Sequence, residues 1–221
     1  MAKRIVFWGD SITDSMREQK HETDMTGYHR AQGCGYVRMI AGALGYDQPE
    51  EYEVINRGIS GNRIVDLYAR IKSDLINLKP DVISILVGIN GIWHELWTQN
   101  GVDAAKYEMV YDLIIQEIRQ ALPDVKIMIL EPFVLHGTAT MNTEEIPNRW
   151  AIFQAETKLR QEAAKRIAQK HDLLFVPLQD AFNEANEKTQ REDYWLGDGV
   201  HPNAPGHELI KRQWLKAFKN L

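Results

Sequence analysis

The stretch RIVFWGDSITDS, residues 4–15, begins with the character of a strand and ends with that of a turn. Its first residues, Arg4–Trp8, are mostly apolar, as expected for a strand that is buried on both faces. Gly9, Asp10 and Ser11 follow at once, and small polar residues after a glycine commonly start a turn. A functional role for Ser11 therefore requires partners from elsewhere in the chain.

Four further segments share this apolar, β-branched character and alternate with segments of helical periodicity. The predicted strands are Arg4–Trp8, Glu53–Asn56, Asp81–Val87, Lys126–Glu131 and Leu173–Pro177. The predicted helices are 103–121, Tyr36–Leu44, Asn62–Asn77, Arg149–Lys170 and Ala204–Phe218. Strands that alternate with helices imply right-handed crossovers and a mainly parallel sheet. We therefore expect a three-layer α/β/α sandwich in one domain, residues 1–221.

The composition restricts the class of protein. The chain has 221 residues and a formal net charge of -5, without any run of Lys or Arg, so we expect no nucleic-acid partner. The single cysteine, Cys34, excludes a multi-cysteine zinc site, and the histidines other than His201 show no paired ligand spacing, so we expect no metal. No apolar run approaches the ~20 residues that cross a bilayer. The first residues are also unlike a signal peptide, and we expect a cytoplasmic protein with no membrane partner.

Two connections are too long to be minimal turns. They are Ile12–Gly35 and Pro132–Asn148, and both are polar. Each follows the carboxyl end of a predicted strand, where open α/β sheets bind their ligands. We therefore expect both connections to wall a pocket.

Small or polar residues follow predicted strands in two further places and recur near the carboxyl end of the chain. The stretches are NRGISGN at 56–62, VGINGIW at 87–93 and GDGVHPNAPGH at 197–207. Together with the stretch around Ser11, they would lie along one edge of a parallel sheet. Side chains that are distant in sequence can therefore meet there.

The residue types in these stretches suit the hydrolysis of an ester. A serine hydroxyl that attacks a carbonyl must lose its proton to a base, usually histidine. His201 is the candidate base for Ser11, and Asp198 is close enough in sequence to fix the His201 tautomer. The negative charge of the tetrahedral intermediate needs fixed donors. The candidates are the backbone N–H groups of Ser11 and Gly58 and the side-chain amide of Asn90. At Gly58, the absence of a Cβ lets the backbone approach a substrate closely.

Taken together, the four stretches resemble the four blocks of the SGNH hydrolases, also called GDSL-type esterases and lipases. The resemblance runs in the expected order from Gly9 to His207. It implies that Ser11 is the nucleophile of a triad with His201 and Asp198, and that Gly58 and Asn90 are oxyanion donors. It also implies a flavodoxin-like sheet and no metal or organic cofactor. In the third block Gly91 replaces the family's usual Asp, and we expect the chemistry to survive this change.

Three residues near these blocks are candidate substrate-binding residues: Asp10, Trp93 and Trp195. For Asp10, bracing the turn by accepting backbone hydrogen bonds is the role that we favour. Each tryptophan either packs in the interior or offers a flat wall to a sugar ring or an acyl group.

Within the family, GYV at 35–37, Trp93 and WLGDGVHPNAPGH at 195–207 are most similar to the bacterial intracellular carbohydrate acetylesterases. This resemblance implies a serine esterase that removes acetyl groups from sugars such as acetylated xylo-oligosaccharides through an acyl-enzyme. It also implies a homo-oligomer. Two alternatives stay open. A lysophospholipase or acyl-thioesterase of the same family would need a long apolar groove, whereas an inactive carbohydrate-binding protein would not need the intact catalytic positions.

Overall fold

The computed structural model describes residues 2–19 and 30–221, which form a five-stranded parallel sheet covered by helices. The strands are β1 Lys3–Gly9, β2 Tyr52–Gly58, β3 Val82–Leu86, β4 Lys126–Leu130 and β5 Leu174–Val176. Their order across the sheet is β2-β1-β3-β4-β5, and every neighbouring pair is parallel. This is the flavodoxin-like order, so the predicted α/β class and all five predicted strands are confirmed.

The helices of the described residues agree with the sequence pattern in most places. They are α1 Ser11–Asp14, α2 Tyr36–Asp47, α3 Ile64–Ala69, α4 Ile71–Asp74, α5 Ile89–Thr98, α6 Ala104–Ala121, α7 Arg149–Lys170, α8 Gln179–Asn186 and α9 Ala204–Phe218, with a 3-10 helix at Ile76–Leu78. The single helix predicted over Asn62–Asn77 is wrong. Arg70 has φ −114° and ψ 15°, and the segment divides there into α3 and α4. Helices α5 and α8 were not predicted. None of these helices, in residues 2–19 and 30–221, is long and apolar enough to cross a membrane.

Strand β1 is buried on both faces, which explains its nearly continuous apolar sequence. Ile5 and Phe7 pack with apolar side chains of α2 and α9, whereas Val6 and Trp8 pack with those of α3 and α6. All four side chains are fully buried. Alternate residues of one strand therefore belong to the two apolar layers that hold the helices on the sheet.

The strand register brings the predicted site stretches to one edge of the sheet. Gly9 at the end of β1 is aligned with Gly58 at the end of β2 and with Leu86 at the end of β3. The segments that follow these residues are the Ser11 turn, the loop 59–62 and the start of α5. They therefore leave the sheet side by side.

The two long connections differ in structure. Residues 132–148 contain neither helix nor strand, and they pack on the turn before α9. Two main-chain hydrogen bonds of 2.9 Å hold them there, from the Leu135 N–H to the Gly199 carbonyl and from the Ala139 N–H to the Asp198 carbonyl. The other connection is not a loop at its start, because Ser11–Asp14 forms α1. The rest of that prediction falls partly on residues 20–29, which lie outside the described residues.

Candidate active site

Ser11 lies in the first turn of α1, immediately after β1. Asp10 is extended, with φ −102° and ψ −150°, and its carboxylate accepts a hydrogen bond of 3.0 Å from the Ile12 N–H. This is the hydrogen bond of a helix N-cap, and it fixes the turn that carries Ser11. The Ser11 hydroxyl Oγ lies 2.9 Å from Nε2 of His201.

The His201 ring is held from its other side by Asp198. Nδ1 of His201 lies 2.7 Å from Oδ2 of Asp198. The second carboxylate oxygen, Oδ1, accepts the backbone N–H groups of Val200 and His201 at 2.8 Å each. Both oxygens of Asp198 are therefore engaged within one short turn, and the predicted grouping of Ser11, His201 and Asp198 is present in the structure.

Hydrogen bonding controls the charges in this group. Burial on its own raises the pKa of Asp198, but the bonds from the His201 ring and from two backbone N–H groups outweigh burial and lower it to about 2. The hydrogen bond to Asp198 in turn raises the pKa of His201 above its usual 6.5. With Asp198 ionised, Nδ1 carries the ring proton and Nε2 can accept one from Ser11. This arrangement can convert a serine hydroxyl into a nucleophile.

Gly58 does not lie where the prediction requires it. Its N–H donates to Oδ1 of Asn56 at 2.8 Å, and its carbonyl accepts from Nε of Arg17 at 2.7 Å. A Cβ on Gly58 would lie 2.1 Å from the Asp14 nitrogen. The glycine is needed because α1 packs directly on the end of β2. The prediction of Gly58 as an oxyanion donor is therefore wrong, since its N–H is already used within the protein.

Gly61, the second glycine of the same stretch, has both the backbone conformation and the open surroundings that a donor to a ligand needs. Its φ is +81°, a left-handed conformation that favours glycine, and a Cβ there would meet nothing closer than Nε2 of His94 at 3.8 Å. None of the described residues accepts a hydrogen bond from its N–H. The signal that the sequence analysis missed is this second glycine of Gly-Ile-Ser-Gly, three positions beyond Gly58.

Asn90 lies in the first turn of α5, beside the Gly61 loop. Its Nδ2 donates to the carbonyl of Asn62 at 3.1 Å, and the side chain is 7% exposed. An amide nitrogen has two N–H groups, so one remains for a ligand when the other binds Asn62. The structure thus brings Asn90 and Gly61 together at the sheet edge that also carries Ser11.

Gly91, at the position of the departure from the usual block, is in close contact with main chain. A Cβ there would lie 2.8 Å from the carbonyl oxygen of Val102, whose own N–H donates to the Gly91 carbonyl at 3.1 Å. Nη2 of the buried Arg160 donates to the same Val102 oxygen at 2.5 Å. Residue 102 therefore occupies the space that a side chain on Gly91 would need, and Arg160 holds it there.

The three candidate substrate-binding residues have different environments. Trp93 is half-buried, and its ring lies edge to face with His201, with centroids 5.9 Å apart. It also stacks on the exposed Trp97 at 5.0 Å, and Trp97 was not singled out from the sequence. Trp195 packs against the apolar layer that contains Trp214, and its carbonyl accepts from the Asn203 N–H.

Asp10 is only 1% exposed, so its carboxyl group cannot reach a substrate. The prediction of Asp10 as a substrate-binding residue is corrected to the bracing role. Of the three candidates, only Trp93 has a ring contact with a residue of the predicted triad.

Comparison with known proteins shows the family of the chain. The GDSL-like lipase/acylhydrolase family model matches residues 7–209. The acetylxylan esterase of Geobacillus stearothermophilus is 34% identical over 97% of this chain and 93% of its own length.

Solved structures of similar proteins superpose on nearly the whole chain. A GDSL-like lipase from Parabacteroides merdae superposes with a TM-score of 0.87 and 30% identity, over 99% of this chain and 97% of the other. The crystal structure of Axe2, an acetylxylan esterase from G. stearothermophilus, superposes with a TM-score of 0.80 and 33% identity, over 97% and 93% of the two chains. The chain is a carboxylic ester hydrolase that belongs to the GDSL-like lipase/acylhydrolase family.

Proposed function

We propose that this hydrolase removes small acyl groups, principally acetyl, from carbohydrates such as acetylated xylo-oligosaccharides, with Ser11 as its nucleophile. The observation that carries the catalytic part is the chain of hydrogen bonds from Ser11 Oγ through His201 to Asp198, of 2.9 and 2.7 Å. The likeness to an acetylxylan esterase over 97% of the chain supports the substrate class.

In the proposed first step, Ser11 Oγ attacks the carbonyl carbon of the ester while Nε2 of His201 takes the hydroxyl proton. The imidazolium that forms is stabilised by the ionised Asp198. The carbonyl oxygen becomes an oxyanion that faces the N–H groups of Ser11 and Gly61 and the amide of Asn90. Each such donor contributes roughly 2.7–4 kcal/mol to transition-state stabilisation in hydrolases of this kind.

The first half of the reaction ends when the intermediate collapses and His201 returns its proton to the departing sugar oxygen. The acetyl group is then bound to Ser11 as an ester. A water molecule, deprotonated by His201, attacks this acyl-enzyme through a second oxyanion. In the second half, this intermediate collapses to acetate while His201 gives the proton taken from water to Ser11 Oγ, so one histidine serves as base and acid in both halves.

The position of Trp93 supports a sugar as the leaving group. Its ring is in contact with His201, the residue that would protonate the departing oxygen. An indole at this place offers a flat apolar surface with a large contact area. A pyranose attached to the departing oxygen would therefore lie against Trp93, while the small acyl group faces the oxyanion donors.

The test is a comparison of the wild type with Ser11→Ala on p-nitrophenyl acetate, butyrate and octanoate, followed by acetate release from acetylated xylo-oligosaccharides. We expect Ser11→Ala to abolish turnover on all of them and the wild type to prefer acetate. Ser15→Ala is the matched control, since Ser15 caps the other end of α1 and is expected to leave turnover intact.

Each other result has a definite meaning. Near-normal turnover by a folded Ser11→Ala variant would refute the mechanism. A preference for octanoate, with no release of acetate from the sugar, would reject the carbohydrate substrate and favour a lipid or thioester hydrolase.

A further inference from the structure

Arg70, at the break between α3 and α4, binds several main-chain and side-chain oxygens behind the site. Its guanidinium donates Nε to Asn62 Oδ1 at 2.8 Å, Nη1 to the Arg57 carbonyl at 2.9 Å and to Asp74 Oδ2 at 2.6 Å, and Nη2 to the Gly9 carbonyl at 3.0 Å. The side chain is 13% exposed, so these bonds are largely shielded from water.

The acceptors of Arg70 belong to the segments that carry the proposed oxyanion donors. Gly9 ends β1 and precedes the Asp10–Ser11 turn. Asn62 directly follows Gly61, and its carbonyl also accepts the amide of Asn90. One guanidinium therefore contacts the Ser11 and Gly61 segments directly and reaches Asn90 through a single intermediate residue.

We propose that Arg70 is a positioning residue that fixes the spacing of the three oxyanion donors, an inference that rests on the proposed function. It touches no reacting atom. Its planar guanidinium binds three oxygens at once, those of the Gly9 carbonyl, the Arg57 carbonyl and the Asn62 side chain. A lysine ammonium on a flexible stem does not reproduce this set of contacts. Donors that stabilise a transition state must be held in place before the charge develops, because their reorganisation would otherwise cost part of the gain.

The contact with Asp74 separates this role from ordinary stabilisation. Asp74 binds Nη1 from within α4 and belongs to none of the site segments. Loss of the ion pair with Asp74 would change the stability of the folded protein. Loss of the contacts with Asn62 and Gly9 would instead change the positions of the proposed oxyanion donors. Two substitutions can therefore distinguish a structural arginine from a positioning one.

The experiment measures kcat and KM on p-nitrophenyl acetate for Arg70→Lys, Asn62→Ala and Asp74→Asn, each checked for folding by circular dichroism. We expect Arg70→Lys to lower kcat by about tenfold or more with KM changed by less than about twofold, because the lost contacts matter mainly in the transition state. Asn62→Ala removes only the Nε contact and should lower kcat by a smaller factor. Asp74→Asn should keep the wild-type kcat.

Two further variants distinguish a failure of the inference from a failure of the proposed function. Asn90→Ala tests the oxyanion site itself, and unchanged kcat there would refute the proposed function rather than the role of Arg70. In the double variant Arg70→Lys with Asn90→Ala, we expect a combined loss smaller than the product of the two single losses, because both changes act on one set of donors.

Three results would overturn the proposal: a folded Arg70→Lys with wild-type kcat, an equal kcat loss in Asp74→Asn, or strictly multiplicative losses in the double variant. If Arg70→Lys does not fold, Asn62→Ala decides the question. Its unchanged kcat would then count against a positioning role.

Discussion

Asp198 determines both the orientation and the proton affinity of His201. Its carboxylate oxygen Oδ2 bonds to Nδ1, and its ionised form favours the protonated imidazole. The pKa of His201 therefore lies above 6.5 in the free enzyme. Because Nε2 must be unprotonated to accept the Ser11 proton, activity should be lost as the pH falls through this raised pKa.

We predict that Asp198→Asn lowers kcat roughly a thousandfold or more, since the amide favours the wrong tautomer of His201. The acid limb of the kcat/KM profile should also move to lower pH, because the carboxylate that raised the pKa of His201 is gone. A pH–rate profile of both proteins measures this shift.

Asp10→Asn is the matched control for this pH shift. Burial raises the pKa of Asp10 to about 7, and Asp10 adds only a minor electrostatic contribution to His201. We expect its acid limb to stay close to that of the wild type. An unmoved acid limb in Asp198→Asn would contradict the assignment of the shift to Asp198.

Single residues of the site differ in how far the sequence predicts their position. The grouping of Ser11, His201 and Asp198 could be predicted because a serine, a histidine and a nearby carboxylate have few alternative pairings in these stretches. The choice between Gly58 and Gly61 could not be made, because it depends on which N–H is already bonded to a side chain within β2. The hydrogen bond from the Gly58 N–H to the Asn56 side chain leaves no periodic pattern in the sequence.

Among the elements, α5 brings two parts of the site together. It begins at Ile89, places Asn90 in its first turn and presents Trp93 one turn later beside His201. The sequence did not predict this helix, because Gly88, Asn90 and Gly91 are typical of a turn. Tertiary contacts decided the outcome, since residue 102 packs on Gly91 and supports the helix start.

We predict that Trp93→Ala raises KM for acetylated xylo-oligosaccharides by roughly tenfold, because the sugar loses the apolar area of the indole. KM for ethyl acetate, which has no ring to stack, should change by less than about twofold. Trp93→Phe retains an aromatic face and should lie between the wild type and the alanine variant. Equal increases in KM on both substrates would count against a sugar surface at Trp93.

The hydrophobic pattern of the sequence also failed to predict the break between α3 and α4 at Arg70. The apolar spacing over Asn62–Asn77 fits one helix, but the structure has two short helices and a 3-10 turn. The backbone leaves the helical conformation where the Arg70 side chain binds the site segments. Hydrophobic periodicity reports which face is buried, and it is insensitive to one polar side chain that binds backbone oxygens.

For the whole molecule, the class of fold was predictable because every strand reads as a short buried segment between helices. The order β2-β1-β3-β4-β5 was expected only from the family resemblance, since the individual segments carry no information about their neighbours. Two apolar layers then hold the sheet between its helices. The site edge and the interior layers are thus separate parts of the structure, with different residues responsible for each.

We predict that Trp214→Ala destabilises the protein by about 3–5 kcal/mol while the kcat of the folded fraction is retained. Trp214 is fully buried, stacks on Phe218 with centroids 4.5 Å apart, and donates Nε1 to Ser84 Oγ at 3.0 Å. Urea unfolding measures the change in stability. Trp214→Phe should lose less, and a large fall in kcat for either folded variant would contradict this separation of core and site.

The bonds between residues 132–148 and the Asp198 turn have a consequence for how relatives of this enzyme can diverge. The long loop is joined to Gly199 and Asp198 through main-chain groups, which side-chain substitutions other than proline leave in place. A loop of different length or path would pull on the segment that holds the carboxylate. Exchanging this loop between homologues should therefore succeed only when the following 196–202 turn is transplanted with it, so the two segments should be inherited as one unit.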